Sequence, residues 1–131
     1  MQEFRLPSDE LEYDVLAKLW ELGTGSIRDL HDQLDRPDGL AYATTAKVVA
    51  RLREKGLIER HLNGYLFIYR PRVTREEVEA ARARKAVSRL FGSAPHAAVA
   101  ALVDAVDAVD PKLLDELERQ VIARRRSKDG A

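Results

Sequence analysis

The stretch LAYATTAKVVARLREKGLIER, residues 40–60, carries polar side chains at helical spacing. Thr44, Lys47 and Arg51 are three and four residues apart, so a helix aligns them on one line, with Tyr42 at its N-terminal edge. Lysine and arginine donate hydrogen bonds to guanine edges or to phosphates, and threonine offers a hydroxyl and a methyl group to a base. This line therefore suits contact with DNA, and a merely solvated helix face is the alternative interpretation.

Positive charge is concentrated in the same part of the chain, although the whole sequence balances 22 basic against 22 acidic residues. Residues 47–72 contain seven lysines and arginines and only two carboxylates, Glu54 and Glu59. Because phosphate binding depends on the local charge, a basic patch on a neutral chain can still bind nucleic acid. The charge distribution thus favours the DNA interpretation.

The residue types do not form the groupings typical of an enzyme, a metal site or a membrane protein. No nucleophile, base and acid occur as a catalytic set, so we expect no catalysis and no cofactor. Cysteine is absent, and His31, His61 and His96 are too scattered to suggest a metal cluster. No run of about 18 apolar residues predicts a transmembrane helix, and the N-terminus MQEFRLPSDE lacks the features of a secretory signal. We therefore expect a cytoplasmic protein that is not an enzyme.

Three predicted helices position the polar line. The first begins after Ser8, which can cap it, and acidic residues that include Glu12 favour its positive end. Ser26 and Asp29 resemble a capping box at the start of the second helix. The third runs from about Tyr42 to Lys55 and ends before a glycine. The face that it turns toward the first two helices consists of Thr45, Val48, Val49 and Leu52.

A β-hairpin is predicted after the third helix. Two extended runs flank Asn63-Gly64, and both of these residues tolerate the positive φ of a type I′ turn. The pairs expected across this turn are Leu62 with Tyr65, Arg60 with Phe67, and Ile58 with Tyr69. These side chains share one face, which we expect to be the inner face of the hairpin.

Three helices followed by a hairpin are typical of a winged helix-turn-helix, in which the third helix enters the major groove of DNA. The tip of the wing would contact the DNA backbone or the minor groove, and the start of the second helix would bind a phosphate. The candidate DNA-binding residues on this basis are Ser26, Arg28, Tyr42, Thr44, Lys47, Arg51, His61 and Asn63.

The rest of the chain predicts three further helices rich in alanine, leucine and valine. Their apolar faces are too large for one small unit to bury, so we expect a two-fold dimer rather than an independent monomeric bundle. The predicted domains are residues 1–73, which bind DNA, and residues 74–131, a helical dimerisation domain with a disordered polar tail. The fold class is therefore mainly α (α+β). The candidate dimerisation residues are Val87, Leu90, Phe91, Val99, Leu102, Val103, Val106, Leu113, Leu114, Leu117 and Val121.

Three segments resemble the penicillinase-repressor family (BlaI/MecI/CopY type): LEYDVLAKLWELGTGSIRDLHDQL, LAYATTAKVVARLREKGLIER and GYLFIYRPRVTREE. The resemblance implies a homodimeric transcriptional repressor whose winged helix binds a palindromic operator in double-stranded DNA. The family's recognition-helix contacts fall on Ala43, Thr44, Lys47 and Arg51 of this sequence. Antibiotic-responsive members are released from DNA by cleavage in the C-terminal region, so the resemblance also implies a regulatory protease as a partner.

The sequence departs from the family pattern at three positions of the third helix. Ala43 stands where threonine or lysine is common, and Thr45 and Ala46 replace larger aliphatic residues, so we expect a different operator preference. Copper-responsive members carry a C-terminal cysteine motif, and the absence of cysteine argues against that response. A winged-helix module that binds a protein instead of DNA is the alternative function.

Overall fold

The computed structural model describes residues 3–36, 39–92 and 94–130 of the chain. The chain forms two compact units, one ending at Arg84 and the other beginning at Lys85. No helix within these described ranges is long and apolar enough to cross a membrane. The elements are α1 (Glu10–Leu22), α2 (Ile27–Gln33), α3 (Tyr42–Glu54), β1 (Ile58–Asn63), β2 (Leu66–Pro71), α4 (Arg75–Leu90), α5 (Pro95–Val109) and α6 (Pro111–Asp129).

The core of the first unit determines which face of α3 points outwards. The buried face predicted from the helical spacing is confirmed, because Thr45, Val48, Val49 and Leu52 are all fully buried. Burying one valine or leucine side chain contributes about 1.5–3 kcal/mol. The residues of α1 and α2 that share this hydrophobic core are Val15, Leu16, Leu19 and Leu30.

Local hydrogen bonds fix the starts of α1 and α2. Asp9, rather than the predicted Ser8, caps α1, and its Oδ1 atom accepts a hydrogen bond from Glu12 N at 2.9 Å. The predicted capping box of α2 is confirmed, since Ser26 and Asp29 each accept a hydrogen bond from the other's backbone N–H. The side chain of Glu12 does not remain at the surface of the helix start but is buried.

β1 and β2 form the predicted antiparallel hairpin, but the predicted register is wrong. Asn63 pairs with Leu66, so the turn is Gly64-Tyr65 rather than Asn63-Gly64. Gly64 has a φ of 67° and Tyr65 has no positive φ, which fits a type II′ turn with glycine first instead of type I′. The observed pairs are Leu62 with Phe67, Arg60 with Tyr69, and Ile58 with Pro71. Because the register differs by two residues, the alternation of side chains between the two faces is kept. The face predicted to be inner is buried only at Ile58 and Tyr69, whereas Leu62 and Phe67 nearer the turn are exposed.

The first unit extends beyond the predicted boundary between residues 73 and 74. Val78 of α4 is fully buried in the hydrophobic core that contains α1 and α3 residues. Trp20 Nε1 also donates a hydrogen bond to Val73 O at 2.9 Å. Because these contacts attach the start of α4 to the winged helix, the two units divide within α4, between Arg84 and Lys85.

The second unit contains a helical hairpin, α5 and α6, without a buried core of its own. No residue of either helix is buried. Asp110 caps α6 and accepts a hydrogen bond from Lys112 N at 3.0 Å. The polar tail predicted to be disordered is helical to Asp129, because arginine and lysine are good helix formers and interact favourably with the C-terminal end of a helix.

Candidate nucleic-acid interface

The outward face of α3 carries an exposed lysine among small side chains. Ala43 and Lys47 are exposed, and Thr44 lies half-buried beside them. None of the ion pairs formed within the described residues involves Lys47. The N-cap residue Ala41 has no side-chain cap, so N–H groups at the start of α3 are available to an acceptor such as phosphate. This face can therefore approach a polyanion closely.

Arg51, the last residue of the predicted line, lies within ion-pair distance of a buried carboxylate. Its Nε atom lies 3.5 Å from Oε2 of Glu12, a residue of α1 whose side chain is 2% exposed. Lys55 Nζ lies 2.5 Å from the other oxygen, Oε1. The sequence places Glu12 among the acidic residues at the start of α1. The sequence does indicate this burial, because Glu12 lies three and four residues before Val15 and Leu16 and so shares their face of the helix.

The N-terminal edge of α3 is packed against α2. The Arg28 guanidinium lies over the ring of Tyr42, 4.4 Å from its centroid, and His31 meets the same ring edge-on at 5.6 Å. His31 Nδ1 is also 2.8 Å from Oγ1 of the buried Thr45. The structure thus brings together two predicted contacts, Arg28 and Tyr42. Arg28 also forms an ion pair with Asp32, with 3.8 Å between Nη1 and Oδ1.

Ser26 forms the predicted capping box, and its contact with DNA stays a prediction. Its side chain is buried, and its hydroxyl accepts the backbone N–H of Asp29 at 3.1 Å. The hydroxyl is therefore used inside the capping box, where it fixes the start of α2. Arg28, two residues later, is exposed and is the cation at this end of α2.

The wing presents polar and apolar side chains at its tip. His61 and Asn63 are exposed, as expected for contacts with DNA. Tyr65 and Leu66 are exposed as well, and Tyr65 occupies the turn itself. We did not predict Tyr65 as a contact, because the type I′ interpretation placed it in a strand instead of at the turn. The wing tip is therefore broader and more apolar than the sequence indicated.

Within residues 3–36, 39–92 and 94–130, no group of three histidine, cysteine, aspartate or glutamate side chains could hold a metal ion. The clustered charges instead pair with each other, as Arg70 does with Glu59 at 2.6 Å. What the arrangement can do is present cations and small side chains on a rigid helix beside a hairpin.

Comparisons with known proteins give a family and a fold. Residues 9–123 match the sequence model of the penicillinase repressor family. The solution structure of the DNA-binding domain of the repressor BlaI is 22% identical, covering 59% of this chain and 93% of that one, with a TM-score of 0.50. A CopR repressor structure is 25% identical, covering 54% of this chain and 100% of that one, with a TM-score of 0.45. No curated protein matches the chain significantly. The family match confirms the resemblance, and the BlaI domain confirms the winged-helix fold.

Proposed function

The chain belongs to the penicillinase repressor family, and we propose on that premise that it is a homodimeric repressor that binds a palindromic operator through α3 and the wing. The observation that carries the proposal is the outward face of α3, where Lys47 is exposed while Val48, Val49 and Leu52 fix the opposite face in the core. A rigid helix of this kind fits the major groove of DNA. Sequence-specific binding follows if the exposed side chains bond to base edges.

The exposed residues of α3 differ in which groups of the DNA each can contact. Lys47 donates to guanine edges or to a phosphate, and Thr44 offers its hydroxyl and methyl group to a base. Ala43 presents only a methyl group, which suits apolar contact with a thymine methyl. Arg51 is turned toward Glu12 through its Nε atom, so its remaining N–H groups suit a phosphate. The helix thus combines base contacts with a contact that positions it on the backbone.

Two further surfaces extend this interface. Arg28, stacked on Tyr42, supplies a cation at the start of α2, where it suits a phosphate beside the major groove. On the wing, His61 and Asn63 are exposed and suit the backbone or the minor groove. Together these residues surround α3 with contacts that orient it on the duplex.

Dimerisation is supported by the exposure of the second unit. Neither α5 nor α6 contains a buried residue, and Val99, Leu113 and Val121 are about half exposed. A unit of this size without a core is stabilised most simply by an identical partner on a two-fold axis. The other proposed dimer residues lie on α4, α5 and α6 or, for Phe91, directly after α4: Val87, Leu90, Phe91, Leu102, Val103, Val106, Leu114 and Leu117. A two-fold dimer presents its two copies of α3 to half-sites about 34 Å apart.

Release from DNA by a regulatory protease belongs to the same proposal. Cleavage in the C-terminal unit would separate the dimer contacts from the winged helix. Each winged helix would then bind its half-site alone and lose the avidity of two linked contacts. Incubation of the cut and uncut chain with the same DNA would measure this loss directly.

Salt-dependent binding to selected DNA tests the proposed function. The full chain is used to select duplexes from a random pool, and its affinity for a recovered duplex and for a scrambled duplex is measured from 50 to 200 mM salt, a range over which several phosphate contacts produce a steep loss. We expect enrichment of an inverted repeat and a dissociation constant that rises steeply with salt. No enrichment together with no salt-dependent binding would instead favour the module that binds protein.

A further inference from the structure

We propose that Glu12 is a positioning residue for DNA binding, which orients the Arg51 guanidinium toward a phosphate without touching the DNA. This inference rests on the proposed function and deepens it. It assigns a role in DNA binding to a buried carboxylate that cannot itself reach the DNA. The evidence lies in the contacts of Glu12, in the charge balance around it, and in the geometry of arginine.

Glu12 joins α1 to the C-terminal half of α3. Its Oε1 atom accepts from Lys55 Nζ at 2.5 Å and from Ser8 N at 3.2 Å, and its Oε2 atom lies 3.5 Å from Arg51 Nε. The side chain of Glu12 is 2% exposed, that of Lys55 is 11% exposed, and that of Arg51 is 46% exposed. The Glu12 carboxylate and Lys55 are therefore largely shielded from solvent, and Arg51 is the side chain of this cluster that reaches solvent.

The charges of this cluster leave one positive charge at the surface. Lys55 lies closest to Glu12 and balances its charge, so the Arg51 cation remains for an external anion. A carboxylate placed near DNA and left unbalanced would repel phosphate. Because Lys55 supplies the balance, Glu12 can hold Arg51 without cancelling its attraction for DNA.

Arginine is suited to this double role, whereas lysine is not. The guanidinium is planar and carries N–H groups on more than one edge, so Nε can face Glu12 while the Nη groups bond to a phosphate. A lysine at the same place has a single ammonium group on a flexible chain and lacks that fixed fork. Glu12 therefore controls the orientation of the Arg51 guanidinium, which matters for binding in addition to its charge.

This role predicts a change in affinity opposite to that of simple electrostatics. Replacing Glu12 by glutamine removes a negative charge, which by itself strengthens attraction to DNA. If Glu12 orients Arg51, the same replacement weakens binding, because the guanidinium then has to be immobilised when DNA binds. The matched control is Glu10→Gln, which makes the same change at an exposed position of α1 that forms no ion pair with a described residue.

The test measures the affinity of the full-length chain for a duplex selected by the unmodified chain. We expect Glu12→Gln to weaken binding about tenfold, a total of about 1.4 kcal/mol over the two half-sites of the dimer, while Glu10→Gln leaves it equal or slightly tighter. In an Arg51→Ala background, Glu12→Gln should weaken binding no further, because Glu12 acts through Arg51. Binding by Glu12→Gln as tight as that of Glu10→Gln, or an undiminished loss in the Arg51→Ala background, would overturn the inference.

Arg51→Lys keeps the test decisive if Glu12→Gln does not fold, which thermal unfolding of each variant shows. This variant preserves the positive charge but removes the planar guanidinium, so we expect a loss of DNA affinity close to that of Arg51→Ala. Affinity equal to that of the unmodified chain would overturn the proposed role. If the unmodified chain itself selects no DNA, the proposed function fails; if it binds DNA and these variants do not differ from it, only the role of Glu12 fails.

Discussion

Replacing Lys47 by alanine tests the proposed recognition surface with the least disturbance of the fold. Lys47 is exposed and takes part in none of the ion pairs of the described residues, so the free energy of unfolding should change by no more than about 0.5 kcal/mol. A hydrogen bond to a charged group contributes about 1.5 kcal/mol. A dimer loses two such contacts, so the binding free energy falls by about 3 kcal/mol. This corresponds to a dissociation constant that is roughly 100-fold larger.

The matched control is Arg53→Ala, which removes the same charge from an exposed position of the same helix. Fluorescence anisotropy with a selected duplex measures both variants at several salt concentrations. If Lys47 contacts a phosphate in each half-site, the salt slope of its alanine variant falls by about two units. If it reads a base, the slope is kept and discrimination against a scrambled duplex is lost. A loss no larger than that of Arg53→Ala would refute the assignment of this face.

Three further predictions concern the fold and the dimer. Gly64→Ala should lower the stability by about 1 kcal/mol, because its φ is 67° and an L-residue is disfavoured there; unchanged thermal unfolding would contradict the assigned turn. Trp20→Phe should destabilise the chain by about 1 kcal/mol through loss of the hydrogen bond to Val73 O, measured by calorimetry, and an equally stable variant would exclude a net contribution from that bond. Leu113→Asp, at a side chain that is 45% exposed in one chain, should shift the sedimenting species from dimer to monomer, whereas an unshifted dimer would exclude Leu113 from the interface.

The features that periodicity and caps determine could be predicted from the sequence. The buried face of α3 follows from the spacing of Val48, Val49 and Leu52, and the α2 capping box follows from Ser26 and Asp29. These features depend on local geometry, since residues three and four apart necessarily share a helix face. The order of three helices, hairpin and three helices follows from the same signals.

Features that depend on tertiary contacts could not be predicted. Glycine tolerates more than one turn type, so Asn63-Gly64 did not determine which two residues form the turn. Residue 73 lies beside a proline-containing stretch that suggests a boundary, but the burial of Val78 keeps α4 in the first unit. The role of Glu12 requires knowing that Lys55 and Arg51, about 40 residues later in the chain, meet it. The sequence shows the helical spacing of Glu12, but it does not show which residues Glu12 contacts.

Footprinting of the dimer on its operator tests the central claim most directly. The full chain is bound to a duplex that it has selected, and hydroxyl-radical cleavage of both strands maps the protected positions. We predict two protected segments, related by two-fold symmetry and centred about one helical turn, roughly 34 Å, apart. A single unsymmetrical segment, or no protection at concentrations that saturate binding, would contradict a dimeric repressor that reads DNA through α3.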